Sequence, residues 1–439
     1  GMVQFTPTYF TKQLGFVINQ LSGAGCDHMG NFPTLPIAGA LRVSPDSILN
    51  MQTPVGKEIG TAGYYAATVD HSIRAELTVT ERTGMARYTF SSKEKQGTVI
   101  IGGGVAATPI QVAAIKITGP HSCEGYAEGG AFCGIPTPYK VYFVAEFDAD
   151  AESFGTWKEE RLHANHTFAE GSHSGVYFTF PLKEGNQAVQ YKIGVSYVSV
   201  ENARENLRVE NPAWDFSAVR QATQDKWNEY LGKIEVEGDN EDRQMQFYTH
   251  LYRSLIHPNV CSDVNGEYMG ADSQVHKTAR KFYTSFSNWD TYRTQTALIA
   301  MLAPEETSDI VMSHYLFAEQ SGGGFPRWVL ANIETGVMQG DPTPILVANA
   351  YAFGARTYDP RTLLRTMRYG AEVPGANSQG VLTRPGLEQY LEKGYYDASI
   401  LLEYTSSDFA IGRFALQACN DEPVCNWYTQ RAMNWKNLF

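Results

Sequence analysis

The stretch Ile193-Gly194-Val195-Ser196-Tyr197-Val198-Ser199-Val200-Glu201-Asn202-Ala203-Arg204-Glu205-Asn206-Leu207 is where the hydrophobic period of the chain changes from two to 3.6. Upstream of it, Ile73, Ala75, Leu77 and Val79 alternate with Arg74, Glu76, Thr78 and Thr80. Val141, Phe143, Ala145 and Phe147 repeat that period, as do Val176, Phe178 and Phe180. Alternation of this kind belongs to strands that bury one face. Glycine turns such as Arg82-Thr83-Gly84, Gly102-Gly103-Gly104 and Glu128-Gly129-Gly130 punctuate it, so residues 1–198 are predicted to form a two-sheet β-sandwich. Downstream, Phe216, Val219, Trp227, Tyr230 and Ile234 stripe one helix, and Met245, Tyr248, Tyr252 and Leu255 stripe another. Asn265-Gly266 signals a small hairpin. Further helices open at Pro304-Glu305-Glu306, Asp341-Pro342, Pro360 and Pro385-Gly386, and a last pair spans about 400–436. One helix is expected over about 290–302. Antiparallel helix pairs with loops gathered at one end predict an α/α toroid or a bundle. The fold class is thus α+β multidomain: a sandwich over 1–198, a helical linker over 199–239 and paired helices over 240–439.

The chain has 439 residues, enough for two or three domains. At 43% hydrophobic and 19% charged it has an ordinary globular composition. A net charge of −12 without a basic cluster argues against nucleic acid as a partner. No run approaches the roughly 20 apolar residues of a membrane span, and the chain opens at Gly1-Met2-Val3-Gln4 without a basic-then-apolar leader. Six cysteines include two close pairs, Cys123 with Cys133 and Cys419 with Cys425, both expected as local disulfides, leaving Cys26 and Cys261 as thiols. One glycosylation sequon, Asn165-His166-Thr167, is compatible with secretion.

The run Ser285-Phe286-Ser287-Asn288-Trp289-Asp290-Thr291-Tyr292-Arg293 places an indole, a carboxylate and a guanidinium at a helix start. An indole face covers the C–H side of a pyranose, while Asp290 and Arg293 take vicinal hydroxyls in charge-assisted pairs. The plainer reading is a cap by Ser287, Asn288 or Asp290 with Trp289 packed beneath. Arg327 and Trp328 follow the glycine-rich Gly322-Gly323-Gly324-Phe325-Pro326, which lets backbone approach a ligand and lacks the Lys-Ser/Thr ending of a phosphate loop; packing is their plainer role. Asp341 before Pro342 is either a sugar ligand or a helix cap. Glu403 and Asp408 lie five apart on a helix, roughly 500° of rotation, so they read as structural acids rather than a catalytic pair. His257 suits a helix end, and Asp263 suits a hairpin turn better than a calcium loop.

Several segments together resemble glycoside hydrolase family 92, the calcium-dependent α-mannosidases. They are Leu21-Ser22-Gly23-Ala24-Gly25-Cys26, Gly63-Tyr64-Tyr65 through Arg82-Thr83-Gly84, Ile193 through Ala203, Phe247-Tyr248-Thr249 through His257-Pro258-Asn259-Val260, Trp289-Asp290-Thr291-Tyr292-Arg293, Phe325-Pro326-Arg327-Trp328, Gly340-Asp341-Pro342 and Leu402-Glu403-Tyr404. The resemblance implies a sandwich, a helical linker and an (α/α)6 toroid, of which about half is present. It implies inverting hydrolysis of terminal α-mannosides on mannose-containing glycans by a secreted, extracellular or periplasmic enzyme. A calcium ion is implied as cofactor, with oxygen ligands. Trp289, Asp290, Arg293, Arg327, Trp328 and Asp341 are the expected sugar-binding residues. The family's catalytic acid and base belong to a part expected beyond Phe439, so neither role is assigned and the chain as written is expected to be an inactive fragment. Val17-Ile18-Asn19-Gln20 stands where the family carries a His-rich stretch. Two rivals remain: another sandwich-plus-toroid enzyme such as a disaccharide phosphorylase, which would depend on phosphate, and a non-catalytic glycan-binding protein, whose affinity would survive loss of 240–439.

Overall fold

The computed structural model describes residues 1–7, 15–21, 23–46, 55–184 and 187–439. Ser22, within the Leu21–Cys26 segment, lies outside them. The chain forms two compact units, one of residues 1–235 with 261–267 and the other of 236–260 with 268–439.

The first unit is the expected sandwich. Among the described residues a seven-stranded sheet runs in the order Thr6–Pro7, Phe16–Val17, Thr34–Ala38, Gln96–Gly102, Ser174–Pro181, Ser153–Lys158, Arg161–Ala164. A nine-stranded sheet has Ile110–Gly119, Ser122–Phe132, Ile135–Phe147, Ala188–Ser196, Thr83–Thr89 and Ile73–Val79 in sequence across its middle. The inward residues of the two sheets interdigitate: Phe147 meets Phe178 at 5.0 Å between ring centres, and Phe16 stacks on Tyr88 at 6.3 Å. Alternation is legible in Ile73–Val79, with Ile73, Ala75 and Leu77 buried. Ser174–Pro181 departs from it, being buried on both faces up to Phe180.

The change of period is a physical corner. Ser199, in extended conformation, accepts the backbone N–H of Asn202 and starts the helix Val200–Glu210. Ala203 and Leu207 then pack on Val144 of the sheet. Gly194 allows the close approach, since a Cβ there would sit 2.4 Å from the Ala203 carbonyl oxygen. Residues 261–267 dock on the same corner through Asp263. Its carboxylate accepts from Ser196 Oγ (2.7 Å), Asn202 Nδ2 (2.8 Å) and Asn206 Nδ2 (2.6 Å). Arg82 Nε donates to the Ser262 carbonyl at 2.7 Å. The expected turn is there, with Gly266 N–H on the Asp263 carbonyl at 2.9 Å.

The second unit is helical: Glu241–Ser254, Pro304–Gln320, Thr343–Ala352, Pro360–Glu372, Leu387–Lys393, Ala398–Cys419 and Glu422–Ala432. Val311, Leu346, Val347, Leu363, Met367, Ile411, Phe414 and Tyr428 from five of these helices share one core. The helix expected over 290–302 is broken into Asn288–Thr291 and Gln295–Leu302. At the break, side chains take the carbonyls that would continue it: Thr296 Oγ1 donates to Thr291 O and Asn349 Nδ2 to Tyr292 O.

The expected disulfides are not formed. Cys133 is bonded to Cys26, with 5.3 Å between Cα atoms, and Cys123, Cys261, Cys419 and Cys425 are free buried thiols. Cys123 sits near one end of the extended strand Ser122–Phe132 and Cys133 just past the other, so at about 3.3 Å per residue they are roughly 30 Å apart. Cys425 packs back beside Gly412 of Ala398–Cys419, roughly two helical turns from Cys419.

Candidate functional site

Trp289 lies on the one-turn helix Asn288–Thr291, which is anchored from below. Buried Asn288 donates through Nδ2 to the Pro326 carbonyl (3.1 Å) and to Thr343 Oγ1 (2.8 Å), and its backbone N–H reaches the Arg327 carbonyl at 3.3 Å. His314 Nε2 lies 2.9 Å from Asn288 Oδ1, and burial lowers the His314 pKa to about 4. This anchoring leaves Trp289 half-buried and Asp290 and Arg293 exposed. The Arg293 guanidinium stands 4.6 Å from the Trp289 ring centre and 4.9 Å from that of Tyr292. Trp289 Nε1 donates to Glu403 Oε1 at 3.0 Å. The carboxylate of Asp290 accepts the hydroxyl of Ser287, and no side chain caps this turn, so the capping reading does not hold.

The other three expected sugar ligands are interior. Arg327 spends its guanidinium on backbone carbonyls: Gly340 (3.0 Å), Met338 (3.3 Å), Gly336 (3.4 Å), Leu382 (3.0 Å) and Thr383 (3.4 Å). It therefore ties two loops together. Trp328 is 4% exposed, and its backbone N–H and that of Arg327 both donate to Glu334, at 3.2 and 2.6 Å. Burial pushes the Glu334 carboxyl up, opposed by the backbone N–H groups of Gly336 and Arg327. Asp341 does not cap the helix Thr343–Ala352; its Oδ2 takes Arg384 Nε at 2.8 Å.

Arg384 is fully buried and is shared with Asp408, its Nη1 lying 2.7 Å from Asp408 Oδ1. Asp408 also receives Arg431 Nε (2.7 Å), Arg431 Nη2 (2.6 Å) and Tyr390 OH (2.6 Å). Burial alone would raise the Asp408 carboxyl, but Arg384 and Arg431 outweigh it and hold it below the ordinary range. Asp341 has one guanidinium directly bonded; burial pushes it up despite Arg384. The cleft between Arg327, Glu334, Asp341 and Thr383 leaves a free volume of about 10 Å³. That is about the space of one water molecule, too little for a sugar ring, so these residues support the loops around them.

Glu403 and Asp408 point apart, one half-exposed and the other in the interior. Glu403, read from sequence as a structural acid, carries the indole, and Glu334, which the sequence did not bring forward, holds the backbone under it. Glu334 has no distinctive neighbour pattern in sequence. Among the described residues no three His, Cys, Asp or Glu side chains converge as a metal site. The buried carboxylates Asp341, Asp408, Glu334 and Asp263 are taken by guanidinium, amide or hydroxyl donors. Among the described residues no cluster of carboxylates is thus left free for the implied calcium.

Residues 6–196 match the glycosyl hydrolase family 92 N-terminal domain and residues 202–439 match its catalytic domain. A protein of Arthroderma benhamiae named an uncharacterized secreted glycosidase is 24% identical over 94% of this chain and 54% of its own length. A solved family GH92 α-mannosidase of Bacteroides thetaiotaomicron superposes with a TM-score of 0.87 at 23% identity, over 97% of this chain and 59% of that one. An inverting family GH92 mannosidase of the same organism gives 0.84 at 23% identity, over 100% of this chain and 64% of that one. The chain thus spans between about half and two thirds of the length of these relatives. With both domains of one family matched in order along nearly all of its residues, the chain belongs to glycosyl hydrolase family 92.

Proposed function

We propose that this chain is the sandwich and the leading part of the helical domain of an exo-acting α-mannosidase, which removes terminal mannose from glycans with inversion. The reading is carried by the match of both family 92 domains, and the α-mannosidase relative solved with mannoimidazole supports mannose as the sugar. In this reading Trp289, Asp290 and Arg293 meet the terminal sugar, while Arg327, Trp328 and Asp341 hold the loops beneath them. Inversion needs an acid and a base on opposite sides of one anomeric carbon, about 6.5–9.5 Å apart. The buried acids here are occupied by cations or amide donors, so we assign both roles to the portion of the relatives that this chain does not span. Calcium would supply oxygen coordination to sugar hydroxyls when bound; no step is assigned to it here. Secretion is supported by the name of the fungal relative, by the Cys26–Cys133 disulfide and by the exposed Asn165 of the sequon.

The test is to incubate the product of the whole gene with α-1,2-mannobiose and follow the sugar by NMR. Release of mannose, first as the β-anomer, is expected. Release of the α-anomer first would overturn inversion, and no release from any α-linked mannobiose would overturn the function.

A further inference from the structure

We infer that Glu403 is a second carboxylate, besides Asp290, that accepts a hydroxyl of the terminal sugar beside Trp289. The inference deepens the mannosidase reading and rests on it. Asp290, which is exposed, takes the Ser287 hydroxyl within its own turn through Oδ2 alone. Glu403 comes from another element, the helix Ala398–Cys419, and crosses to the indole: its Oε1 receives Trp289 Nε1–H at 3.0 Å. Its Oε2 has no hydrogen-bond partner among the described residues, and the side chain is half-exposed, so one oxygen fixes the ring while the other is open.

The stem of Glu403 is held in place. Gly340 has φ +74°, and a Cβ there would stand 2.6 Å from Glu403 Cβ, so the turn abuts the side chain without room to spare. The carbonyl of Gly340 is in turn fixed by Arg327. Arg293 supplies a donor 4.6 Å from the centre of the same ring. An acceptor and a cationic donor flanking an indole are what a pair of vicinal hydroxyls on a pyranose requires. This also gives the buried residues Arg327 and Gly340 a function at a distance: they set where the Glu403 carboxylate stands.

The test is to titrate the product of the whole gene with methyl α-mannopyranoside, followed by tryptophan fluorescence and calorimetry, and then with its 2-, 3-, 4- and 6-deoxy analogues. Glu403→Gln keeps an acceptor for the indole but removes the charge, and should weaken binding roughly tenfold. One deoxy analogue should bind more weakly than the parent sugar to the unchanged chain, and that difference should vanish in Glu403→Gln. If Glu403→Gln does not fold, Trp289→Phe serves instead: it deletes the indole N–H, and the deoxy difference should persist because Glu403 remains. A Glu403→Gln chain that binds like the unchanged one, or a loss equal across all the deoxy sugars, would overturn the assignment and leave Glu403 as an anchor for the ring. Failure of the unchanged whole-gene product to bind any of these sugars would instead overturn the mannose reading, and the Glu403 assignment with it.

Discussion

Single residues in the helical unit divide into those that carry charge inside and those that present it outside. Asp408 is the clearest of the first kind, because two guanidiniums depend on it. Replacing it by Asn leaves Arg384 and Arg431 short of a counter-charge in the interior, and the expected loss is about 3–5 kcal/mol in urea unfolding at neutral pH. The pH dependence has a definite sign. The folded carboxyl is held below its unfolded value, so its stabilisation is complete above the unfolded pKa of about 3.9 and is lost as pH falls through the folded value. The deficit of Asp408→Asn relative to the parent should therefore narrow below about pH 4; a deficit unchanged down to pH 2 would show that the ion pair is not its source. Gly340→Ala is a second case, combining a left-handed backbone with a contact 2.6 Å from Glu403 Cβ. It should cost about 1–3 kcal/mol by thermal unfolding, and a neutral effect would mean that the turn relaxes easily.

At the scale of elements, the corner at Ser199–Val200 is the junction most exposed to test. The segment 261–267 belongs to the sandwich unit although some sixty residues separate it from Asn202 and Asn206, and Asp263 is the bond between them. Asp263→Ala strands buried amide and hydroxyl donors together and should cost roughly 3 kcal/mol or more. It should also open 261–267 to proteolysis, visible as an early cleavage product. Asp215→Ala removes only the exposed cap of Phe216–Leu231 and serves as the comparison, with a cost of about 1 kcal/mol. Equal effects from the two variants would contradict the docking role of Asp263.

For the whole molecule, the decisive covalent fact is the disulfide between Cys26 and Cys133, which closes a separation of 107 residues. Titration of thiols in the unfolded, unreduced protein should find Cys123, Cys261, Cys419 and Cys425 reactive and Cys26 and Cys133 blocked. Cys26→Ser should lower stability by about 2–5 kcal/mol, since it frees a long loop in the unfolded chain. A peptide map that joins Cys123 to Cys133 would refute the arrangement.

What the sequence determined by itself was the order of architectures. A two-residue alternation can bury one face only as a strand, and a 3.6-residue stripe only as a helix, so the shift after Val198 fixed the sandwich followed by helices. Family kinship was also legible, because local segments such as Trp289–Arg293 and Gly340–Pro342 keep their order along the chain. Tertiary structure decided everything that depends on which distant residues meet. Local spacing made Cys123 the natural partner of Cys133, but an extended strand carries its ends far apart and brings Cys26 close instead. Local sequence likewise left Asp341 as either a sugar ligand or a helix cap. In the fold, Arg384 draws Asp341 inward and the indole of Trp289 meets Glu403, because a carboxylate or an N–H removed from water needs a hydrogen-bond partner.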